Sequence, residues 1–170
     1  PKAPLALIRI AQEHGLSSRI VEATVEVNAS QKARMVAKIR QALGGSEADK
    51  RIAVLGLTFK PETDDMRDAP SLAILPALAD KGAEVVAHDP EGLDEARALL
   101  PDTVRYADTL EEALDGADAL VLLTEWNQYR GLDLEDVRAR MRGNVFVDLR
   151  NVYERELIEE AGFAYTAVGR

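Results

Sequence analysis

Two cations stand on one polar loop between a predicted strand and a predicted helix. The strand, 51–55, runs into Gly56, and Lys60 and Arg67 follow before Pro70 opens the helix. Loops between a strand and its following helix usually take about 2–6 residues, so a loop of this length is typical of a functional segment. Ammonium and guanidinium groups at the mouth of an α/β unit can bind an anionic ligand, such as a phosphate.

Lys60 is flanked by Phe59 and Pro61, two residues with limited conformational freedom. A lysine held in this way can present its ammonium group to a phosphate as a point charge. Phe59 can offer a flat apolar wall to a base or a sugar. The alternative is that Lys60 is a solvated loop lysine, but the long loop and its second cation favour a ligand contact.

Arg67 lies three residues before Pro70, near the start of the predicted helix. The positive end of the helix dipole also favours an anion there. The alternative is an ion pair with an aspartate of the same loop, namely Asp64, Asp65 or Asp68. Both hypotheses can hold together, if a carboxylate orients the guanidinium and a ligand takes its free edge.

Arg150 follows the predicted strand 144–148 and therefore lies at the carboxyl edge of the sheet, as Lys60 does. The carboxyl ends of parallel strands line one edge of a sheet, so we expect both cations at the same crevice. The alternative is a surface arginine paired with Asp148 or Glu154.

Several other kinds of site are not expected. No Gly-x-Gly-x-x-Gly segment occurs, so the sheet is not expected to hold a pyrophosphate through glycine amides. The sequence contains no cysteine, which excludes disulfides and cysteine nucleophiles within these residues. His14 and His88 lack metal-ligand spacing, so no metal site is expected. Asp89, with Pro90 after it, is interpreted as a turn residue.

Strand and helix patterns alternate from residue 50 onward. The alternation predicts an α/β fold with a Rossmann-like, mostly parallel sheet and helices on both faces. Two apolar runs without alternation, 52–55 and 119–123, are typical of central strands buried on both sides. The predicted strands are 51–56, 83–88, 103–106, 118–123, 144–148 and 163–168, and the predicted helices are 70–81, 92–100, 109–115, 133–142 and 154–161.

A helical segment precedes the sheet, and its second helix is predicted over 18–43. Such a helix would be about 39 Å long, which is typical of a connector or an oligomer-forming helix. The alternative is an ordinary surface helix that breaks near 28–30. The glycines that follow predict a boundary, with 1–45 as the end of a helical region and 46–170 as the sheet domain.

The bulk composition excludes some partners. The chain has 170 residues and a net charge of −9, which argues against binding to nucleic acid or to an anionic membrane. No run approaches the roughly 20 apolar residues of a membrane span, and no secretory signal is visible. Together with the absence of cysteine, this composition favours a cytoplasmic protein.

Motifs in three regions, together with the last three residues, resemble the C-terminal, UDP-binding domain of the UDP-glucose/GDP-mannose dehydrogenase family. The resemblance covers nearly the whole chain and is strongest to bacterial members that oxidise UDP-glucose to UDP-glucuronate with two molecules of NAD. The matching segments are Gly56-Leu57-Thr58-Phe59-Lys60-Pro61 with 63–68 and 70–72, Leu123-Thr124-Glu125-Trp126, Val147-Asp148-Leu149-Arg150-Asn151, and the final Val168-Gly169-Arg170.

The resemblance implies roles for individual residues. Phe59, Lys60 and Arg150 would contact the UDP-sugar. Arg67 and Lys2 would approach NAD, which the family binds mainly through an N-terminal domain. The long helix would be the family's central helix, which joins the domains and builds a homodimer.

The resemblance implies no catalytic residue within this chain. Pro1-Lys2 looks like the start of the segment that follows the family's catalytic cysteine, so the cysteine and the NAD domain would lie upstream and this chain alone would be inactive. Ala3 stands where the family has an aspartate, and Leu149 where many members have a glycine. Two alternatives stay open, namely a related GDP-mannose or UDP-N-acetylmannosamine dehydrogenase, and a stand-alone nucleotide-binding or dimerisation module.

Overall fold

The structure, a computed structural model, describes residues 2–169. Pro1 and Arg170, which belong to two of the motifs above, lie outside the described residues. A helical segment leads into an α/β unit. Its helices are α1 (Lys2–Glu13) and α2 (Arg19–Ala42), and those of the α/β unit are α3 (Ser71–Asp80), α4 (Leu93–Leu99), α5 (Leu110–Leu114), α6 (Asn127–Arg130), α7 (Leu134–Arg140) and α8 (Arg155–Glu160).

The sheet has six strands in the order β3-β2-β1-β4-β5-β6, and every neighbouring pair is parallel. This is the doubly wound order, in which the chain reverses its direction of growth between β1 and β4. The predicted Rossmann-like α/β fold is therefore confirmed. The strands are β1 (Arg51–Leu55), β2 (Glu84–His88), β3 (Arg105–Tyr106), β4 (Ala119–Leu122), β5 (Val145–Asp148) and β6 (Ala164–Ala167).

The sheet is buried on both faces, as the unbroken apolar runs predict. Because successive strand residues point to opposite faces, Ala53 and Leu55 enter one core while Ile52 and Val54 enter the other. The first core is closed by α5, α7 and α8, and the second by α2, α3 and α4. Helices on both faces thus fix the position of the carboxyl edge of the sheet.

The long helix α2 is continuous over 24 residues, about 36 Å, so the alternative break near 28–30 is wrong. Only Ile39, near its C-terminal end, is buried among its side chains. The Lys38 ammonium donates to the carbonyl oxygen of Ala167 at 2.6 Å, which ties the same end of α2 to β6. The N-terminal half of α2 therefore lies outside the core.

A bidentate ion pair joins the end of α2 to the segment before β1. Arg40 donates through Nε and Nη2 to the two carboxylate oxygens of Glu47, both at 2.8 Å, and the Glu47 side chain is buried. The predicted boundary near residue 45 thus lies within a short connection whose two ends are fixed to each other.

The element bounds differ from the prediction in small ways. Most elements are one or two residues shorter at their ends, and the four-residue helix α6 has no predicted counterpart. Pro76 lies inside α3, which continues through it. Within residues 2–169, no helix combines the length and the apolar character that crossing a membrane requires.

Candidate functional site

The loop after β1 leaves the sheet in close contact with the end of β4. Gly56 has a φ of +91°, and a Cβ atom built on it would lie 2.5 Å from the Cβ of Thr124. The Thr124 hydroxyl donates to the carbonyl oxygen of Thr58 at 2.7 Å. The loops after β1 and β4 are therefore joined at the point where the strand order reverses, which is where ligands bind in such sheets.

A buried carboxylate fixes the base of the same loop from its other side. Asp89 follows β2, and its Oδ2 accepts hydrogen bonds from the backbone N–H groups of Leu57 at 2.7 Å and Thr58 at 3.2 Å. Its Oδ1 accepts from the N–H groups of Glu91 and Gly92, which is the predicted turn. The sequence did not indicate the bonds to the loop after β1, because they depend on β2 lying beside β1.

Phe59 and Lys60 lie where the loop opens to solvent. The Phe59 N–H donates to the carbonyl oxygen of Asp65 at 2.8 Å, which closes the tip of the loop. The half-exposed Phe59 ring lines a cavity of about 420 Å³ between this loop and α2, where Met35 and Pro70 also contribute. Within the described residues, the Lys60 ammonium has no hydrogen-bond or ion-pair partner. The Lys60 ammonium is therefore available to bind an incoming anion.

Arg67 forms the ion pair that the alternative hypothesis named. Its Nε and Nη2 donate to the two carboxylate oxygens of Asp65 at 2.8 and 2.6 Å. The hydrogen bonds from Arg67 hold the pKa of the Asp65 carboxyl far below its usual range, and the charge of Lys2 lowers it further. Of the two residues predicted to approach NAD, Arg67 is bonded to Asp65, and Lys2 acts on the same carboxylate through its charge.

Arg150 is also held by a carboxylate, but by one from a distant part of the sequence. Its Nε and Nη2 donate to the two carboxylate oxygens of Glu125 at 2.6 and 3.0 Å. The sequence alternatives named Asp148 and Glu154, on the same segment as the arginine. Asp148 instead accepts from the backbone N–H of Arg150 at 3.1 Å. Glu125 reaches Arg150 because β4 and β5 pair in register, with Leu122 beside Asp148.

The Glu125–Arg150 pair is charged at neutral pH. Burial raises the pKa of the Glu125 carboxyl, but the hydrogen bonds from Arg150 and from its own backbone N–H outweigh burial and bring the pKa below its usual value. The pair is partly buried, with exposed side-chain fractions of 20% for Glu125 and 39% for Arg150.

The structure places Lys60 and Arg150 at the same edge of the sheet. A short series of contacts links them, since Thr124 binds the backbone of Thr58 and the next residue, Glu125, binds Arg150. The cavity lined by Phe59 lies toward α2, and its described lining includes neither Lys60 nor Arg150. The cations therefore share an edge, while the aromatic ring faces the long helix.

Sequence reasoning missed a buried pair beneath this edge. The His88 Nδ1 lies 2.7 Å from the hydroxyl of Tyr129, which also donates to the carbonyl oxygen of His88 at 3.0 Å. Burial lowers the pKa of the His88 imidazole, so it is neutral at pH 7. The pair fixes α6 against β2, and Trp126 packs in the same core as Tyr129.

In the part of the chain that the structure describes, no group of three or more His, Asp or Glu side chains is placed to hold a metal ion. Lys60 and Arg150 place positively charged donors at the carboxyl edge, which suits the binding of an anion.

Comparison with known proteins identifies the family. Residues 53–155 match the model of the UDP-glucose/GDP-mannose dehydrogenase family, UDP binding domain. The chain is 46% identical over its whole length to the UDP-glucose 6-dehydrogenase of Rhizobium meliloti (strain 1021), of which it covers 39%. It is 37% identical to UDP-glucose 6-dehydrogenase TuaD of Bacillus subtilis (strain 168), of which it covers 37%. The chain thus spans about two fifths of the length of these relatives.

A solved structure supports the same family assignment. A UDP-glucose dehydrogenase from the archaeon Pyrobaculum islandicum superposes with a TM-score of 0.79 and 35% identity, over 97% of this chain and 35% of that chain. The resemblance drawn from the motifs is therefore confirmed, and the chain belongs to the UDP-glucose/GDP-mannose dehydrogenase family.

Proposed function

We propose that this chain is the UDP-sugar-binding part of an NAD-dependent UDP-glucose 6-dehydrogenase, which converts UDP-glucose to UDP-glucuronate. The observation that carries the proposal is the match of the whole chain, at 46% identity, to 39% of a UDP-glucose 6-dehydrogenase. The rest of the activity then comes from an N-terminal segment with the NAD domain and the catalytic cysteine. The chain alone binds nucleotide and catalyses nothing.

In this proposal, Phe59, Lys60 and Arg150 contact the UDP-sugar. Support comes from the exposed Lys60 ammonium and from the Arg150 guanidinium, which is fixed at the end of a nearby strand. A pyrophosphate carries negative charge that two such cations can neutralise at hydrogen-bonding distance. Phe59 supplies an apolar surface on the side of the edge that faces α2.

Lys2 and Arg67 are proposed to approach NAD, which accepts the hydride when it is bound by the preceding domain. Their side chains suit an anionic group of the cofactor, since both are exposed cations whose charges act on one carboxylate, Asp65. The contribution of this chain is limited to charge at the margin of the cofactor site.

We also propose that residues 1–45 end the central helical region, that 46–170 form the UDP-sugar-binding domain, and that α2 builds a homodimer. Support comes from the exposed apolar side chains of its N-terminal half, such as Ile20 and Val27, which a second copy could cover. The proposed location is the cytoplasm, where nucleotide sugars and NAD are both present.

Calorimetric titration of UDP into the chain tests the proposal. We expect weak binding that Lys60→Ala reduces by about 10- to 100-fold, because a charge-assisted contact is worth roughly 1.5–3 kcal/mol. Lys81→Ala, which removes an exposed lysine beyond the C-terminal end of α3, is the matched control and should leave the affinity unchanged. Absence of binding at millimolar UDP would contradict the proposal.

Two alternatives are separated by further measurements. UDP-D-ManNAc dehydrogenase from Pyrococcus horikoshii has a similar structure, with a TM-score of 0.76 and 26% identity. A panel of UDP-glucose, UDP-N-acetylmannosamine and GDP-mannose, tested as substrates of the complete gene product, decides between the sugars. The coding sequence upstream of residue 1 decides between a dehydrogenase and a stand-alone module.

A further inference from the structure

Glu125 places a carboxylate at an edge that is proposed to bind an anion. In a chain with a net charge of −9, such a group would by itself repel a pyrophosphate. Its presence there therefore requires a compensating role. Both of its oxygens are occupied by Arg150, at 2.6 and 3.0 Å, in the parallel two-bond geometry that fixes a guanidinium plane.

The segment that carries Glu125 is anchored on both sides. Thr124, the preceding residue, is buried and bonded to the backbone of Thr58, and Trp126, the following residue, is buried in the core. The carboxylate therefore projects from a fixed backbone and not from a mobile loop.

The backbone of Arg150 is fixed in a similar way. Its N–H donates to the carboxylate of Asp148, which is fully buried. The Asp148 carboxylate also accepts from the hydroxyl of Tyr165 at 2.8 Å and from the N–H of Tyr153 at 2.9 Å. Both ends of the Glu125–Arg150 pair thus start from rigid positions, so their hydrogen bonds set the direction of the guanidinium.

Stability alone does not explain such a pair, because partly exposed ion pairs usually contribute little to the free energy of folding. Orientation explains it better. Glu125 uses Nε and Nη2 of Arg150 and leaves Nη1 to another acceptor. A guanidinium that is already oriented loses less conformational freedom when a phosphate binds to it.

We propose that Glu125 is a positioning residue for Arg150, and that it holds the guanidinium in the orientation that binds the phosphates of the nucleotide sugar. This inference rests on the proposed function, since it requires that Arg150 contact the ligand.

The inference is tested by whether removing the charge of Glu125 weakens or strengthens UDP binding. In the complete gene product, Glu125→Gln should weaken UDP binding about tenfold, within the range that coupled neighbours show, because an amide can accept only one of the two hydrogen bonds. If Glu125 were merely a nearby negative charge, its removal would strengthen the binding of an anion. Glu156→Gln, which removes an exposed glutamate of α8, is the matched control and should change the affinity little.

A double-variant cycle separates the inference from the proposed function. Arg150→Ala should weaken UDP binding, and adding Glu125→Gln to it should cause no further loss. In steady-state kinetics, Glu125→Gln should raise KM for UDP-glucose with a much smaller change in kcat, which a general folding defect would not produce.

Two outcomes would overturn the inference. If Arg150→Ala weakens binding while Glu125→Gln leaves or improves it, Glu125 is not a positioning residue and the proposed function stands. If Arg150→Ala leaves UDP binding unchanged, both the positioning role and the proposed contact of Arg150 are wrong. Thermal unfolding of each variant verifies that the folded state is compared in every case.

Discussion

Two arginine–carboxylate pairs lie at the carboxyl edge of the sheet, and they differ in how they are built. Arg67 and Asp65 are two residues apart on one loop, with exposed side-chain fractions of 68% and 28%. Arg150 and Glu125 are 25 residues apart, and their exposed fractions are 39% and 20%. The first pair needs only its own loop, whereas the second exists only when β4 and β5 are paired.

This difference determines which of the two pairs depends on the native fold. A pair of neighbours in sequence can form in the unfolded chain as well, so it adds little to the difference in free energy between the two states. A pair across two strands forms only in the native state. We therefore expect substitutions to separate the two pairs clearly.

The largest effect should come from Gly56→Ala, which disturbs the junction beside Glu125 without touching Arg67. The new methyl group would overlap Thr124, and the left-handed backbone adds its own cost, so we expect a loss of roughly 2–5 kcal/mol in the free energy of unfolding. Denaturant unfolding measures this loss. Gly45→Ala is the matched control, with a φ of +100° and open space around its Cβ position. Equal losses in the two variants would contradict the packing argument.

A smaller effect is expected when each arginine is removed in turn. Arg150→Ala leaves the partly buried Glu125 carboxylate without its two hydrogen bonds, so it should lower the free energy of unfolding by about 1–3 kcal/mol. Arg67→Ala should have a smaller effect, because Arg67 is largely exposed and its pair with Asp65, two residues away, can also form in the unfolded chain. Denaturant unfolding at low ionic strength compares them. A greater loss from Arg67→Ala would reverse the comparison.

The smallest effect concerns pH. Because the folded-state pKa of Glu125 is depressed, its stabilising contribution is fully present above about pH 4.3, the ordinary value for glutamate, and is lost as the pH falls through the lower folded pKa. Glu125→Gln should therefore weaken the acid sensitivity of folding. Unfolding curves from neutral pH to about pH 3 measure it. Asp65→Asn should change the pH profile less, despite the low pKa of Asp65, since Asp65 and Arg67 are near neighbours that can also pair in the unfolded chain. A larger change in that variant would contradict the argument.

The sequence was a good guide to what depends on local pattern. Alternating strand and helix patterns predicted the α/β fold, and unbroken apolar runs predicted the doubly buried strands. The Arg67–Asp65 pair was foreseeable, since the residues lie within reach along the chain. The four residues of α6 are too few to show a helical period.

The sequence could not indicate what depends on strand order. Glu125 meets Arg150, and Asp89 meets Leu57, only because β1 lies between β2 and β4 and because β4 lies beside β5. The hydrogen bond between His88 and Tyr129 has the same origin. No spacing along the chain encodes these neighbours, so Arg150 was found as a candidate but its partner Glu125 was not.

One loop of this molecule is subject to two separate demands. Its first residues, Leu57 and Thr58, are hydrogen-bonded by Asp89 on one side and by Thr124 on the other, so substitutions there disturb folding. Its tip, closed by the bond between Phe59 and Asp65, exposes Phe59 and Lys60 to solvent. Substitutions at the tip can thus change ligand affinity with little effect on the sheet, because affinity and folding depend on different residues only a few positions apart.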